Sequence, residues 1–159
     1  MIAGTQLIGN GGSSQGSSTF KALNPATGEL LGPEFHEATS TEVDAAFTLA
    51  TGAAEGIGQS RLAERAALLE RVAASLSADR DAIISRCQQE TGYPSARVQS
   101  EFTRMLGLWS TFAEVVREGS WLDARLDAAQ PERQPLPKPD IRRMNVPVGA
   151  IAIFASSNF

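Results

Sequence analysis

Pro147-Val148-Gly149-Ala150-Ile151-Ala152-Ile153-Phe154-Ala155-Ser156-Ser157-Asn158-Phe159 is the stretch that decides the fold. An unbroken apolar run from Ala150 to Ala155 is entered through Pro-Val-Gly and left through Ser-Ser-Asn. That pattern fits a strand covered on both faces, as in a parallel sheet. A parallel strand reaches its neighbour only through a crossover of about a dozen residues or more. The sequence stops at Phe159 before any such crossover, so it reads as the truncated opening part of a larger α/β fold.

Composition narrows the class. The 159 residues are 42% hydrophobic and 20% charged, which is ordinary for a globular protein. A net charge of −4 provides no basic field for nucleic acid or an anionic membrane surface, so neither is an expected partner. No apolar run approaches the roughly eighteen residues of a membrane span, and no basic leader precedes a long apolar stretch; the expected location is the cytoplasm. A lone cysteine, Cys87, excludes an internal disulfide framework, and no metal-ligand cluster is spelled out.

Upstream, Thr5–Ile8 and Thr19–Leu23 read as short strands. The Gly/Ser-rich segment Gly9–Ser18 between them is either the loop of their hairpin or a flexible linker. Asn24-Pro25-Ala26-Thr27-Gly28-Glu29 is a tight turn, with Gly28 supplying a positive φ. Four helices follow. The first opens at a Thr39/Glu42 capping box, presents Val43, Ala46, Phe47 and Ala50, and ends at Gly56 and Gly58. The second takes Ser60 as its cap and carries Leu62, Ala66, Leu69, Ala73 and Leu76. The third runs from about Asp79 to Thr91 and closes on Gly92 before Pro94. The fourth shows Val98, Phe102, Met105, Trp109, Phe112 and Val116 at helical spacing, ending at Gly119; that stripe reads as core packing. Trp121–Leu126 hints at a strand. Gln130–Asp140, with four prolines, excludes regular helix or central strand, and Ile141–Val146 resumes extended structure with Arg142 and Arg143 facing solvent or another subunit.

In order along the chain, Asn24–Glu29, Glu64-Arg65 with Leu68-Leu69 and Arg71, Arg80-Asp81, Glu90-Thr91-Gly92-Tyr93-Pro94 with Glu101, and Arg143 with Pro147-Val148-Gly149-Ala150 and Ser157-Asn158-Phe159 resemble the N-terminal portion of the NAD(P)-dependent aldehyde dehydrogenase superfamily. The ending departs from that family's commonest Pro-Trp-Asn-Phe form. Its Phe-x-x-Ser-Asn-Phe version is most similar to the branch oxidising α-ketoglutarate semialdehyde (2,5-dioxopentanoate).

The resemblance implies a fold, a reaction and a site. The fold is α/β: residues 1–119 as hairpin and helical part of a Rossmann-like cofactor-binding domain, 120–147 as a Pro-rich, oligomerisation-type strand segment, and 148–159 as the first parallel strand with its cofactor and oxyanion loop. The reaction oxidises a small-molecule aldehyde to a carboxylate with NADP or NAD, through a cysteine thiolate and a glutamate base that lie beyond these residues in the family. Asn158 matches the family asparagine whose amide donates to the substrate oxygen, a role suited to a donor that does not titrate. Phe154, Ala155, Ser156 and Ser157 match the loop lying along the cofactor, at the carboxyl end of a parallel strand where open α/β sheets bind ligands. A homo-oligomer, dimer or tetramer, is implied for the parent protein.

Cys87 does not match the nucleophile: it lies within a helix, on the same face as Ile83, with no helix N-terminus to lower its pKa, and is expected to be structural. His36 is expected in a surface loop, and Glu90 and Glu101 on capped or solvated helix faces. Two expectations of different class follow. The chain is the opening portion of an aldehyde dehydrogenase and inactive alone, lacking nucleophile and base. The alternative is a non-catalytic helical module that associates with intact subunits through Ile141–Val146.

Overall fold

The structure, a computed structural model, describes residues 2–155. In chain order it contains β1 (Gln6–Ile8), β2 (Gly11–Ser13), β3 (Thr19–Leu23), β4 (Leu30–His36), α1 (Ser40–Gln59), α2 (Leu62–Ala78), α3 (Arg80–Thr91), α4 (Ser95–Glu118), a 3₁₀ turn at Ser120–Leu122, β5 (Arg125–Asp127) and β6 (Ile141–Arg143). The strands form three separate antiparallel pairs, β1 with β2, β3 with β4 and β5 with β6.

The N-terminus differs from the sequence expectation. Thr5–Ile8 does not pair with Thr19–Leu23. Gly9 takes φ +60°, the backbone folds back at once, and the Gly/Ser segment itself supplies β2, with Leu7 opposite Gly12. The Asn24–Glu29 turn forms as read and joins β3 to β4. Asn24 N–H donates to the Glu29 carbonyl at 2.8 Å, Asn24 Oδ1 accepts from Ala26 N–H at 2.9 Å, and Gly28 sits at φ +75°. Phe20 and Phe35, opposite each other on this ladder, stack with centroids 5.5 Å apart.

Each helix is delimited by identifiable chemistry. At α1 the Thr39 hydroxyl accepts from Glu42 N–H at 3.2 Å while the Glu42 carboxylate accepts from Thr39 N–H at 2.9 Å, a complete capping box. Gly56 and Gly58 do not end α1; it runs to Gln59. Ser60 closes it rather than opening α2, its hydroxyl donating to the Ile57 carbonyl at 2.7 Å. At α2 the first turn is secured from Glu64, whose carboxylate accepts from Arg61 N–H at 2.9 Å. Gly92 at φ +69° and Gly119 at φ +81° end α3 and α4 in the left-handed conformation, as read.

The core is small. Ile84, Val98 and Phe102 are buried together, with Ile83, Cys87, Tyr93, Met105 and Leu106 packed around them. α2 lies along α4, and Ala66 and Ala113 are fully buried there, small enough to let two helices approach closely. A side chain at Gly119 would meet Leu62 Cδ1 at 3.0 Å, so the end of α4 abuts the start of α2. The apolar stripe of α4 is therefore core in its first half only. Val98 and Phe102 lie under α3, whereas Phe112 is 57% exposed, because α2 covers the Ala113 side of that turn and no described element covers the rest of Phe112.

A further expectation is corrected. Trp121–Leu126 is not one strand: Ser120–Leu122 makes a 3₁₀ turn, Asp123 takes φ +44°, and only Arg125–Asp127 pairs, with Ile141–Arg143 across the Pro-rich loop. Ala150–Ala155 carries no regular secondary structure among the described residues. A strand exists only as part of a hydrogen-bonded ladder, and no described segment lies alongside to pair with it.

Candidate functional site

The residues that carry the expected chemistry follow directly from the fold's last described segment. Asn145 anchors that segment: its N–H donates to the Leu122 carbonyl and its side-chain amide to the Trp121 carbonyl, both at 2.8 Å. The chain then runs along α1. Val146, Pro147 and Ala150 line one groove with Ala54, Ile57 and Trp121, and Ile151 lines the next with Val43, Ala46 and Phe47. Beyond that the backbone leaves the body of the protein.

Phe154 is 96% exposed and Ala155 is exposed. Ser156, Ser157 and Asn158 lie outside the described residues. Of the site residues read from the sequence, the structure describes only Phe154 and Ala155, and no described side chain closes around them. A dinucleotide needs donors at its phosphates and ribose. The grooves beside Ile151 are lined mainly by apolar side chains, so the described residues do not by themselves form a cradle for NAD or NADP.

The other titratable candidates have structural partners. Cys87 is half-buried against the Ile84–Val98–Phe102 core, and its carbonyl accepts from the Thr91 hydroxyl at 2.7 Å. His36 is not in a loop; it ends β4, with Nδ1 2.9 Å from the Gly16 carbonyl oxygen. Glu90 pairs with Arg86 at 2.5 Å and Glu101 with Arg104 at 2.7 Å, each one turn away on its own helix. Among the described residues no cluster of three His, Cys, Asp or Glu side chains is arranged to hold a metal ion, and no helix is long and apolar enough to cross a membrane.

The most perturbed carboxylate is Glu42, which is 2% exposed. Its Oε1 accepts from the Ser13 hydroxyl at 2.5 Å and from Gln15 N–H at 3.0 Å; its Oε2 accepts from both the N–H and the hydroxyl of Thr39 at 2.9 Å. The Ser13 hydroxyl, with the backbone N–H groups of Thr39 and Gln15, lowers its pKa from 4.5 to about 2. Sequence reasoning found the capping box but not the tie to Ser13 and Gln15, because nothing in a Gly/Ser run signals which distant carboxylate it will meet.

Glu42 fastens the N-terminal hairpin to α1. A carboxyl whose folded pKa is depressed contributes stability above its unfolded pKa and loses it as pH falls through the folded one. Stability is therefore expected to fall between about pH 4.5 and about pH 2, and Glu42→Gln should flatten that part of a denaturation-against-pH curve. Thr39→Ala should cost about 1 kcal/mol in denaturant unfolding, as for other N-cap threonines.

Arg65, read from the sequence only as part of the Glu64-Arg65 motif, holds the other end of α1. Its Nη2 donates to the Gly58 carbonyl at 2.7 Å and the Ser60 carbonyl at 2.9 Å, and its Nε to the Ser60 hydroxyl at 3.2 Å. The guanidinium of α2 thus caps the C-terminal carbonyls of α1.

Comparison with known proteins agrees with this architecture. The chain is 40% identical over 159 residues to alpha-ketoglutaric semialdehyde dehydrogenase 2 of Azospirillum brasilense, covering 99% of this chain and 30% of that protein. It is 34% identical over 156 residues to an alpha-ketoglutaric semialdehyde dehydrogenase of Acinetobacter baylyi, again covering 30% of the relative. The chain thus spans about 30% of the length of these curated relatives. The fold superimposes on succinate-semialdehyde dehydrogenase from Burkholderia pseudomallei with a TM-score of 0.69 at 26% identity, over 78% of this chain and 25% of that one. It superimposes on a NAD-dependent benzaldehyde dehydrogenase from Corynebacterium glutamicum with a TM-score of 0.71 at 23% identity, over 81% and 28%; at that identity the likeness shows the α/β fold alone. The sequence model of the aldehyde dehydrogenase family matches residues 13–159, and the chain belongs to that family.

Proposed function

We propose that these residues form the N-terminal part of an enzyme that oxidises a semialdehyde to the carboxylate with NADP or NAD, with 2,5-dioxopentanoate, which becomes 2-oxoglutarate, as the substrate. The observation that carries this reading is the 40% identity to an alpha-ketoglutaric semialdehyde dehydrogenase, sustained across 99% of the chain. In this reading Asn158 donates its side-chain amide to the aldehyde oxygen, where negative charge develops on addition of a nucleophile. The loop Phe154, Ala155, Ser156 and Ser157 presents backbone to the cofactor. The nucleophile is not Cys87, which is engaged in the α3–α4 core. Cys87→Ala is accordingly expected to leave aldehyde turnover by the native protein unchanged; loss of turnover would reassign the nucleophile.

The domain division follows the same reading: residues 1–119 to the cofactor-binding domain, 120–147 to an oligomerisation-type segment in a homo-oligomeric parent, and 148–159 to the first parallel strand and its loop. The large apolar residues left exposed in this structure, among them Val43, Phe47, Phe112 and Ile151, support it. Val43, Phe47 and Ile151 line one groove and Phe112 another, and apolar surface of this kind marks faces that another element covers.

A second reading, a non-catalytic module associating through Ile141–Val146, is favoured by the exposed β5–β6 hairpin. The two separate in one experiment on the protein from its native source, measuring intact mass together with aldehyde-dependent NAD(P)H formation. A mass well above the 16.9 kDa of this chain, with activity, is the expected result. A monodisperse 16.9 kDa protein without activity would favour the module.

A further inference from the structure

The chain holds four asparagines, and they differ in what the next residue allows. The peptide nitrogen after an asparagine attacks the side-chain Cγ where it has a hydrogen to lose and no bulky side chain of its own. Asn24 precedes Pro25, whose nitrogen has no hydrogen, and its Oδ1 accepts from Ala26 N–H at 2.9 Å. Asn145 precedes the β-branched Val146, and its amide donates to the Trp121 carbonyl at 2.8 Å. Asn158 precedes the bulky Phe159 and lies outside the described residues. Asn10 precedes Gly11, where even an added Cβ would meet nothing within 4 Å. Asn10 is exposed, and its side-chain amide has no hydrogen bond among the described residues. It sits at the tip of the β1–β2 hairpin, after Gly9 at φ +60° in a two-residue turn. Gly11 is the ladder partner of Ile8, so its nitrogen is released when that pair opens. Three residues per strand, with Leu7 almost fully exposed, give the pair little to hold it closed.

We propose that Asn10-Gly11 is a self-modification site, a succinimide-forming turn whose conversion to isoaspartate releases the N-terminal hairpin from α1. The Gly11 nitrogen bonds to Asn10 Cγ, the Cγ–Nδ2 bond breaks, and ammonia leaves with the proton that the Gly11 nitrogen gives up. Water then opens the ring at either carbonyl, to aspartate or to isoaspartate, and no electrons change hands. The isoaspartyl product routes the main chain through the former side-chain methylene, so the turn is a methylene longer and carries a new carboxylate. β2 transmits that displacement to Ser13 at its end. The Ser13 hydroxyl donates to Glu42 Oε1 at 2.5 Å, beside Gln15 N–H at 3.0 Å. Hydrogen bonds tolerate little change in distance or angle, so a shifted ladder loses both. The bonds between Glu42 and Thr39 lie within the start of α1 and stay.

The test ages the complete native protein at mildly alkaline pH and reads peptide mass and amide hydrogen exchange. Asn10 is the only asparagine in the tryptic peptide that ends at Lys21. That peptide is expected to show the mass gain of NH replaced by O and to be methylated by an isoaspartyl methyltransferase. Peptides bearing Asn24 or Asn145 are expected to keep their mass. Asn10→Ser, which removes the amide, and Gly11→Val, which shields the nitrogen, should both lose the gain. In the isoaspartyl fraction Gln15 N–H is expected to lose its protection from exchange while Thr39 N–H keeps it. An unchanged Lys21 peptide, or a gain that survives in Asn10→Ser, would overturn the site. A modified peptide with Gln15 N–H still protected would overturn the release of the hairpin.

Discussion

Asn158→Ala in the complete native protein is expected to lower kcat for aldehyde oxidation by about a hundredfold or more, with a smaller effect on KM. The reason is electrostatic. In the proposed role the amide meets an oxygen that is nearly neutral in the bound aldehyde and anionic in the transition state, so its contribution grows as the reaction proceeds. Asn158→Asp should be worse still, because it replaces the donor with a charge of the sign that is developing. Steady-state kinetics on the two variants, with Tm measured alongside to confirm folding, checks both. Unaltered kcat in the alanine variant would mean that Asn158 is a turn residue and that the oxygen is held by other groups.

Phe102→Ala is expected to cost about 3–5 kcal/mol in denaturant unfolding, the usual range for removing a buried phenyl ring. Phe102 is 5% exposed, is packed with Ile84 and Val98, and lies beneath the Arg80 guanidinium at 6.0 Å from the ring centroid. With only a handful of buried apolar side chains in this core, little neighbouring material can relax into the void. Phe112→Ala, three positions later in the same stripe but 57% exposed in this structure, should cost far less if nothing else in the native protein covers it. A large loss at Phe112 would show instead that a further element packs against the second half of α4, which agrees with the proposed larger enzyme.

Much of the helical architecture was legible because its signals are local. Thr39 with Glu42, Gly92 before Pro94, and Gly119 are each sufficient within a few residues to fix a helix end, and the structure places them there. Ser60 misled for an equally physical reason. A hydroxyl between two helices can serve either, and the carbonyl of Ile57 won. The strands were harder. Pairing depends on distant partners, so Thr5–Ile8 found Gly11–Ser13 through the tight turn at Gly9 instead of reaching Thr19–Leu23. Ala150–Ala155 has the composition of a buried strand, yet composition does not supply the neighbour that makes one.

The site shows the same division. Ordered motifs, from Asn24–Glu29 through Glu90–Pro94 to Ser157–Phe159, were enough to identify the family, and the comparison with known proteins agrees. The bonds that fasten the two ends of α1 were not legible as such. Glu42 and Arg65 act through bonds to Ser13, Gln15, Gly58 and Ser60, which only the folded chain brings within reach.

The proposed activity is tested most directly by measuring kcat/KM of the native protein for 2,5-dioxopentanoate with NAD and with NADP, against a simple aldehyde of similar length that lacks the carboxylate. NAD(P)H formation with clear preference for the semialdehyde, yielding 2-oxoglutarate, is the predicted result. No nucleotide reduction with any aldehyde, in protein shown to be folded, would contradict the account.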